Sequence, residues 1–235
     1  MDQGSVVLSV RGLTRRFGSV EAVAGIDFDV ARGEVVALLG PNGAGKTTTL
    51  TCIGGLLAPS AGTIAVAGAT GRSEREKRVA YLPELPVVYD DLTPAEHLAF
   101  VAAARRLAHS DAIVSQALER MGLAEVRDRP AGALSKGLRQ RLCLAGALLA
   151  RADAVLLDEP TTGLDPAAQH ALIGVVRHLA ACGAGVVLST HALVTAFEAA
   201  DRIMVLVAGR IVLDEASARF ATLDALRAAY LGVAA

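Results

Sequence analysis

A glycine-rich loop set between an apolar run and a periodic stretch constrains this chain most. Val35-Val36-Ala37-Leu38-Leu39 reads as a buried strand, and Gly40-Pro41-Asn42-Gly43-Ala44-Gly45-Lys46-Thr47-Thr48 follows it directly. A helix is expected from Lys46 to about Leu57. Glycines let successive backbone N–H groups converge on one point, and a helix N-terminus adds positive dipole there. Lys46 is placed to reach the β- and γ-phosphates of a nucleoside triphosphate, and the Thr47 hydroxyl to ligate Mg²⁺.

A second apolar run, Ala154-Val155-Leu156-Leu157, ends in Asp158-Glu159. Neighbouring side chains on a strand point to opposite sides, so the two carboxylates should have different jobs. Asp158 suits a role in holding Mg²⁺ through water. Glu159 suits a general base that orients or deprotonates an attacking water. A helix-capping role at the turn from Pro160 is the alternative for Glu159.

Further strands are expected at Val6 to Val10, Ile26 to Val30, Thr63 to Val66, Val79 to Leu82, Gly185 to Ser189 and Ile203 to Val207, with a turn at Ala58 to Gly62. Strands alternating with helices imply an α/β fold with a parallel sheet. The middle of the chain is helical instead. Helices are expected at Pro94 to Leu107, capped by Thr93, then at Asp111 to Met121 and Lys136 to Ala150. The reading is one domain: an α/β core from residues 1–85 and 151–214, an inserted helical subdomain at 86–150, and a short helical tail at 215–235.

Composition narrows the classes. Hydrophobic residues make up 53% of the 235, which provides for a large core, yet polar residues break every apolar run below the length of a membrane span. The start, Met1-Asp2-Gln3, carries no secretory pattern. A net charge of −1 gives no electrostatic case for nucleic acid. Cys52, Cys143 and Cys182 are far apart and fit free thiols in a reducing compartment. The charge run Arg72 to Arg78 mixes both signs and reads as a solvated face.

Leu134-Ser135-Lys136-Gly137 opens a helix and looks like a second phosphate-binding surface in the same chain. With it, the chain resembles the nucleotide-binding subunits of ABC transporters over about Val6 to Asp214. The glycine loop and the acidic strand correspond to the Walker A and B motifs, and Leu134 to Gly137 to the signature. Gly163-Leu164-Asp165 resembles the D-loop, and His191, after Ser189-Thr190, the switch histidine. Phe17 lies where that family places its adenine-stacking aromatic; a buried core role is the competing reading.

The resemblance implies a P-loop (RecA-like) ATPase core with an N-terminal antiparallel β subdomain and an inserted α-helical subdomain. It implies ATP and Mg²⁺, with Ser135 and Gly137 binding the γ-phosphate held by Lys46 of a second ATPase subunit, most simply in a homodimer. Asp165 would cross that interface, cap the next helix, or both. His191 would sense the γ-phosphate. A separate membrane permease is implied, with the chain peripheral on the cytoplasmic face of the cell membrane. Its coupling helix would dock on Pro86 to Ala103, where charge at Leu92 or Leu98 should uncouple transport from hydrolysis.

Two departures stand out. Glu84 occupies the position where the family usually has glutamine; it keeps an oxygen for Mg²⁺ or water but adds charge. The signature carries Lys136 for a glycine and Leu138 for a glutamine, and Lys136 reads either as solvent-exposed or as adding attraction to nucleotide. Both departures resemble single-domain ATPases that serve exporter permeases. Two other classes compete. A soluble ABC ATPase acting on nucleic acid or ribosomes usually has a coiled-coil insertion or a second ATPase domain, and this chain shows neither pattern. An ordinary P-loop kinase or GTPase leaves Ser135 and His191 unexplained.

Overall fold

A computed structural model describes residues 5–107 and 111–234. The Met1-Asp2-Gln3 start and His109 lie outside the described residues. In chain order the strands are β1 (Val6–Phe17), β2 (Val20–Ala31), β3 (Val35–Leu39), β4 (Ala61–Val66), β5 (Val79–Leu82), β6 (Ala154–Asp158), β7 (Gly185–Thr190), β8 (Arg202–Val207) and β9 (Arg210–Ala216). The helices are α1 (Lys46–Ile53), α2 (Arg72–Glu76), α3 (Pro94–Ala104), α4 (Asp111–Arg120), α5 (Lys136–Leu149), α6 (Pro166–Ala181), α7 (Leu193–Ala199) and α8 (Leu223–Ala234).

The strands form a six-stranded sheet, ordered β5-β6-β7-β3-β8-β9, and an antiparallel three-stranded sheet, ordered β2-β1-β4. In the large sheet β5 to β8 pair in parallel and β9 closes one edge antiparallel to β8. Parallel strands covered on both faces need apolar residues at every position, and β3 and β6 are buried throughout. Alternation then assigns the residues to two cores. Val35, Ala37 and Leu39 pack with the helices, while Val36 and Leu38 pack with α1 and the antiparallel sheet. The helices α3, α4 and α5 pack on one another. A reciprocal capping box starts α3: Thr93 accepts from the Glu96 N–H, Glu96 accepts from the Thr93 N–H, and Pro94 takes the first turn.

Several boundaries differ from the sequence reading. β1 and β2 extend to 12 residues each, because charged residues on their half-exposed face hide the strand signal. α1 stops at Ile53 rather than near Leu57, since Gly54 and the left-handed Gly55 (φ 79°) end it. β9 was not expected; it returns from β8 through Ala208 and Gly209, both at positive φ. The charge run is not wholly solvated: Arg75, on α2, is 7% exposed. Leu98 is fully buried and so presents nothing to a partner; the exposed apolar side chains nearby are Leu85, Val87, Tyr89 and Phe100. Among the described residues no helix is long and apolar enough to cross a membrane.

Candidate active site

The glycine loop joins the C-terminal end of β3 to the first residue of α1. Two of its glycines are compelled by crowding. A Cβ on Gly40 would sit 2.3 Å from the Leu206 carbonyl oxygen, and one on Gly45 would sit 2.2 Å from that of Ala22. Gly45 also holds φ at 105°, a region closed to other residues. The residues Asn42 to Thr48 line a cavity of about 230 Å³ shared with Ala22, Glu84 and Glu159.

Lys46 is 6% exposed and folds back onto its own loop. Its Nζ donates to the carbonyls of Gly40 at 2.8 Å and Pro41 at 3.2 Å, and lies 3.3 Å from Glu159 Oε1. The other carboxylate oxygen, Glu159 Oε2, is 2.9 Å from His191 Nδ1. Lys46, Glu159 and His191 thus form one connected line, assembled from α1 and from the ends of β6 and β7.

Asp158 faces a different set. Its Oδ1 accepts from the Ser189 hydroxyl at 2.6 Å and the Thr47 hydroxyl at 3.1 Å, and its Oδ2 from the Tyr81 hydroxyl at 3.3 Å. The Tyr81 phenol is pushed well up, first by burial and then by the Asp158 charge, so it stays a donor. The separation of the two carboxylates agrees with alternation, and it is sharpened by backbone. Glu159 leaves the strand in the left-handed region (φ 45°), its N–H held by the Ser189 carbonyl and hydroxyl, each at 3.1 Å. Such a conformation is costly for a glutamate and persists only when the surroundings enforce it.

The remaining predicted residues lie elsewhere. Phe17 is 47% exposed at the end of β1, with the Arg15 guanidinium 4.5 Å from its ring centroid; it is not a core aromatic. Glu84 is exposed on the cavity wall. Ser135 is exposed at the N-cap of α5, accepting from the Leu138 N–H at 3.4 Å. Neither Ser135 nor Gly137 lines the glycine-loop cavity. Asp165 caps α6, accepting from the Ala168 N–H at 2.8 Å. Lys136 is not solvent-directed: its Nζ donates to the Thr162 carbonyl at 2.6 Å. His97, by contrast, is a packing residue, 7% exposed and against Tyr89.

Residues 23–162 match the family model described as ABC transporter. The chain belongs to the ABC transporter family. It is an ATP-binding subunit of that family, and an ATPase by membership. It is 37% identical over 211 residues to the SkfA peptide export ATP-binding protein of Bacillus subtilis, covering 88% of each chain. It is 39% identical over 211 residues to a Nod factor export ATP-binding protein of Ralstonia nicotianae, covering 87% of this chain and 65% of that relative. Among solved structures, an ATP-binding subunit of an ABC transporter superposes with a TM-score of 0.80 at 34% identity, over 97% of this chain and 95% of the other. The cbiO1 protein of Clostridium perfringens, part of a transporter complex, superposes with a TM-score of 0.83 at 26% identity, over 96% and 95%.

Sequence reasoning passed over some of the ABC subunit's contacts. Tyr81 and Ser189 grip Asp158 from the strands on either side, and register was the available signal: β5 and β7 both pair with β6, and Ser189 sits opposite Asp158. The Gln140 amide, buried in α5, donates to the Pro160 carbonyl at 2.6 Å. Nothing in the periodicity of α5 distinguishes that glutamine from a solvated one.

Proposed function

We propose that this ABC subunit hydrolyses ATP in a head-to-tail dimer and drives export through a separate membrane permease, from the cytoplasmic face of the membrane. The observation that carries the reading is the line Lys46–Glu159–His191 leading out of the glycine-loop cavity, with Ser135 exposed and outside that cavity's lining. One copy offers a complete phosphate loop and an outward half-site, which is the arrangement two copies can complete reciprocally.

In this reading Lys46 gives up the Gly40 and Pro41 carbonyls and Glu159 for the β- and γ-phosphates. Glu159, released from Lys46, takes the proton of the attacking water. His191 holds the other Glu159 oxygen and answers to the γ-phosphate. Phe17, with Arg15 on one face, offers the other face to adenine. Ser135 and the Gly137 N–H, at the start of α5, meet the γ-phosphate of the partner subunit.

Among the described residues no cluster of His, Cys, Asp and Glu is built to hold a metal by itself. Thr47, Asp158 and Glu84 nonetheless offer the hard oxygens that fit a Mg²⁺ ion held largely by phosphate and water. Such an ion would neutralise charge on the phosphates of the bound nucleotide. We assign 86–150 as the helical unit that bears the signature and meets the permease, and 215–235 as a packed tail. The exposed Val87, Tyr89 and Phe100, with Leu85 just before the unit, form its docking face, with Tyr89 edge-on to Phe100 at 5.3 Å. The chain's near-neutral charge disfavours a nucleic-acid partner.

The test is copurification together with light scattering. A multi-helix membrane protein should copurify with the tagged chain, and Val87→Glu should abolish the capture while leaving ATP hydrolysis intact. ATP, but not ADP, should convert the Glu159→Gln subunit to a dimer. A subunit that stays monomeric at saturating ATP would overturn the head-to-tail reading.

A further inference from the structure

Lys136 is electrostatically misplaced as a helix residue. It is the first residue of α5, where the helix dipole disfavours a cation. Its ammonium is instead committed to a single carbonyl, that of Thr162, at 2.6 Å. One turn further along the same face, Gln140 donates to the Pro160 carbonyl at 2.6 Å. Between these contacts, a Cβ at Gly137 would stand in ordinary packing distance of Leu164 and Ala168, at 3.6 and 3.8 Å. The loop they hold runs from Glu159 to Asp165. From its other side, Gln169 donates to the carbonyls of Leu164 at 3.0 Å and Thr161 at 3.4 Å, and the Thr161 hydroxyl meets that of Thr195 at 3.2 Å. Side chains from α5 and α6 therefore take the carbonyls of Pro160, Thr162 and Leu164, and share that of Thr161, which also accepts from the Leu164 N–H at 3.2 Å.

We propose that Lys136 is a positioning residue: it locks the 160–165 loop to the start of α5, so that occupancy of Ser135 by a phosphate of the partner subunit's nucleotide is communicated through Thr162, whose N–H donates to the Glu159 carbonyl at 3.2 Å, to Glu159 of the same chain. Its cation serves its own loop and is not a phosphate ligand across the dimer. The inference rests on the dimeric ATPase proposed above. It adds a route by which occupancy of one site sets the carboxylate of the other.

The two roles separate kinetically. A phosphate ligand lost from the ground state weakens ATP binding, whereas a lost positioning contact lowers turnover with binding intact. Lys136→Met should lower kcat roughly 10-fold, the scale of a lost charge-assisted hydrogen bond, with the KM for ATP held within about twofold. Lys136→Arg, which keeps donors near the carbonyl, should recover most of the loss. In a Glu159→Gln background the ATP concentration that half-dimerises the protein should not move. Lys136→Gly keeps the helix start and removes the arm, and should show the same kcat loss if Lys136→Met does not fold.

A kcat within twofold of wild type for both Met and Gly variants would overturn the proposal. So would a 10-fold rise in KM or in the half-dimerising ATP concentration, which would make Lys136 a phosphate ligand. An arginine variant no better than methionine, with both melting lower than wild type, would reduce the contact to a structural one and also overturn it. Failure of the underlying reading looks different: wild type itself would show no ATPase above Glu159→Gln, or no ATP-dependent dimer.

Discussion

Neutralising Glu159 should separate ATP binding from ATP hydrolysis and move them in opposite directions. Glu159 Oε1 lies 3.3 Å from Lys46 Nζ, and the two side chains are 13% and 6% exposed. At that distance and an effective dielectric of ~20 the gross attraction is about 5 kcal/mol. Desolvation of both ions offsets most of it, leaving a net worth on the scale of a hydrogen bond, about 1 kcal/mol. Nucleotide must displace this contact to engage Lys46. Glu159→Gln removes the charge but keeps the shape, and the oxygen of the new amide can still accept from His191. Affinity for ATP should therefore rise about fivefold, the equivalent of that 1 kcal/mol. Hydrolysis should fall by roughly 10²-fold or more through loss of the base, about 2.7 kcal/mol in the barrier. Titration calorimetry on the two proteins gives the affinity, and single-turnover phosphate release gives the rate. Hydrolysis at a near-native rate would refute the assignment of the base. Affinity unchanged or weakened would refute the competition between Glu159 and phosphate for Lys46.

Phe17→Ala should weaken ATP binding by about 1–3 kcal/mol while leaving inorganic tripolyphosphate binding unchanged, since only the base stacks; titration calorimetry with both ligands decides it. Gly45→Ala should abolish measurable nucleotide binding, because its Cβ would meet the Ala22 carbonyl at 2.2 Å and φ is 105°; retained binding with an unchanged melting temperature would contradict this. His97 gives a pH signature. Burial holds its pKa below the ordinary 6.5, so the unfolded chain takes up a proton, as pH falls through 6.5, that the folded chain resists. Its contribution is present in full above 6.5 and is lost below it, with a slope of up to about 1.4 kcal/mol per pH unit. His97→Phe keeps a ring against Tyr89 and should flatten urea-unfolding stability between about pH 7 and 5.

What the sequence made legible follows from how local each signal is. The glycine loop, the buried runs of β3 and β6 and the capping box at Thr93 are each written in fewer than about ten neighbouring residues, with the physics completed inside the segment. They placed Lys46, Thr47, Asp158 and Glu159 at the ends of the elements that hold them. Long-range donors were hidden. Tyr81, Ser189, Lys136 and Gln140 act through one atom on a residue remote in sequence, and no periodicity marks which side chain on a face will find a carbonyl. Lys136 shows the difference most directly. A cation replacing a glycine in a phosphate-binding motif suggests attraction to phosphate, and the sequence left that reading beside plain exposure. Neither names the contact its ammonium makes. The ammonium sits on the Thr162 carbonyl at 2.6 Å, on the loop that leads from Glu159, so in the role proposed for it the residue works as a joint between the surface offered to a partner's phosphate and the carboxylate of its own site.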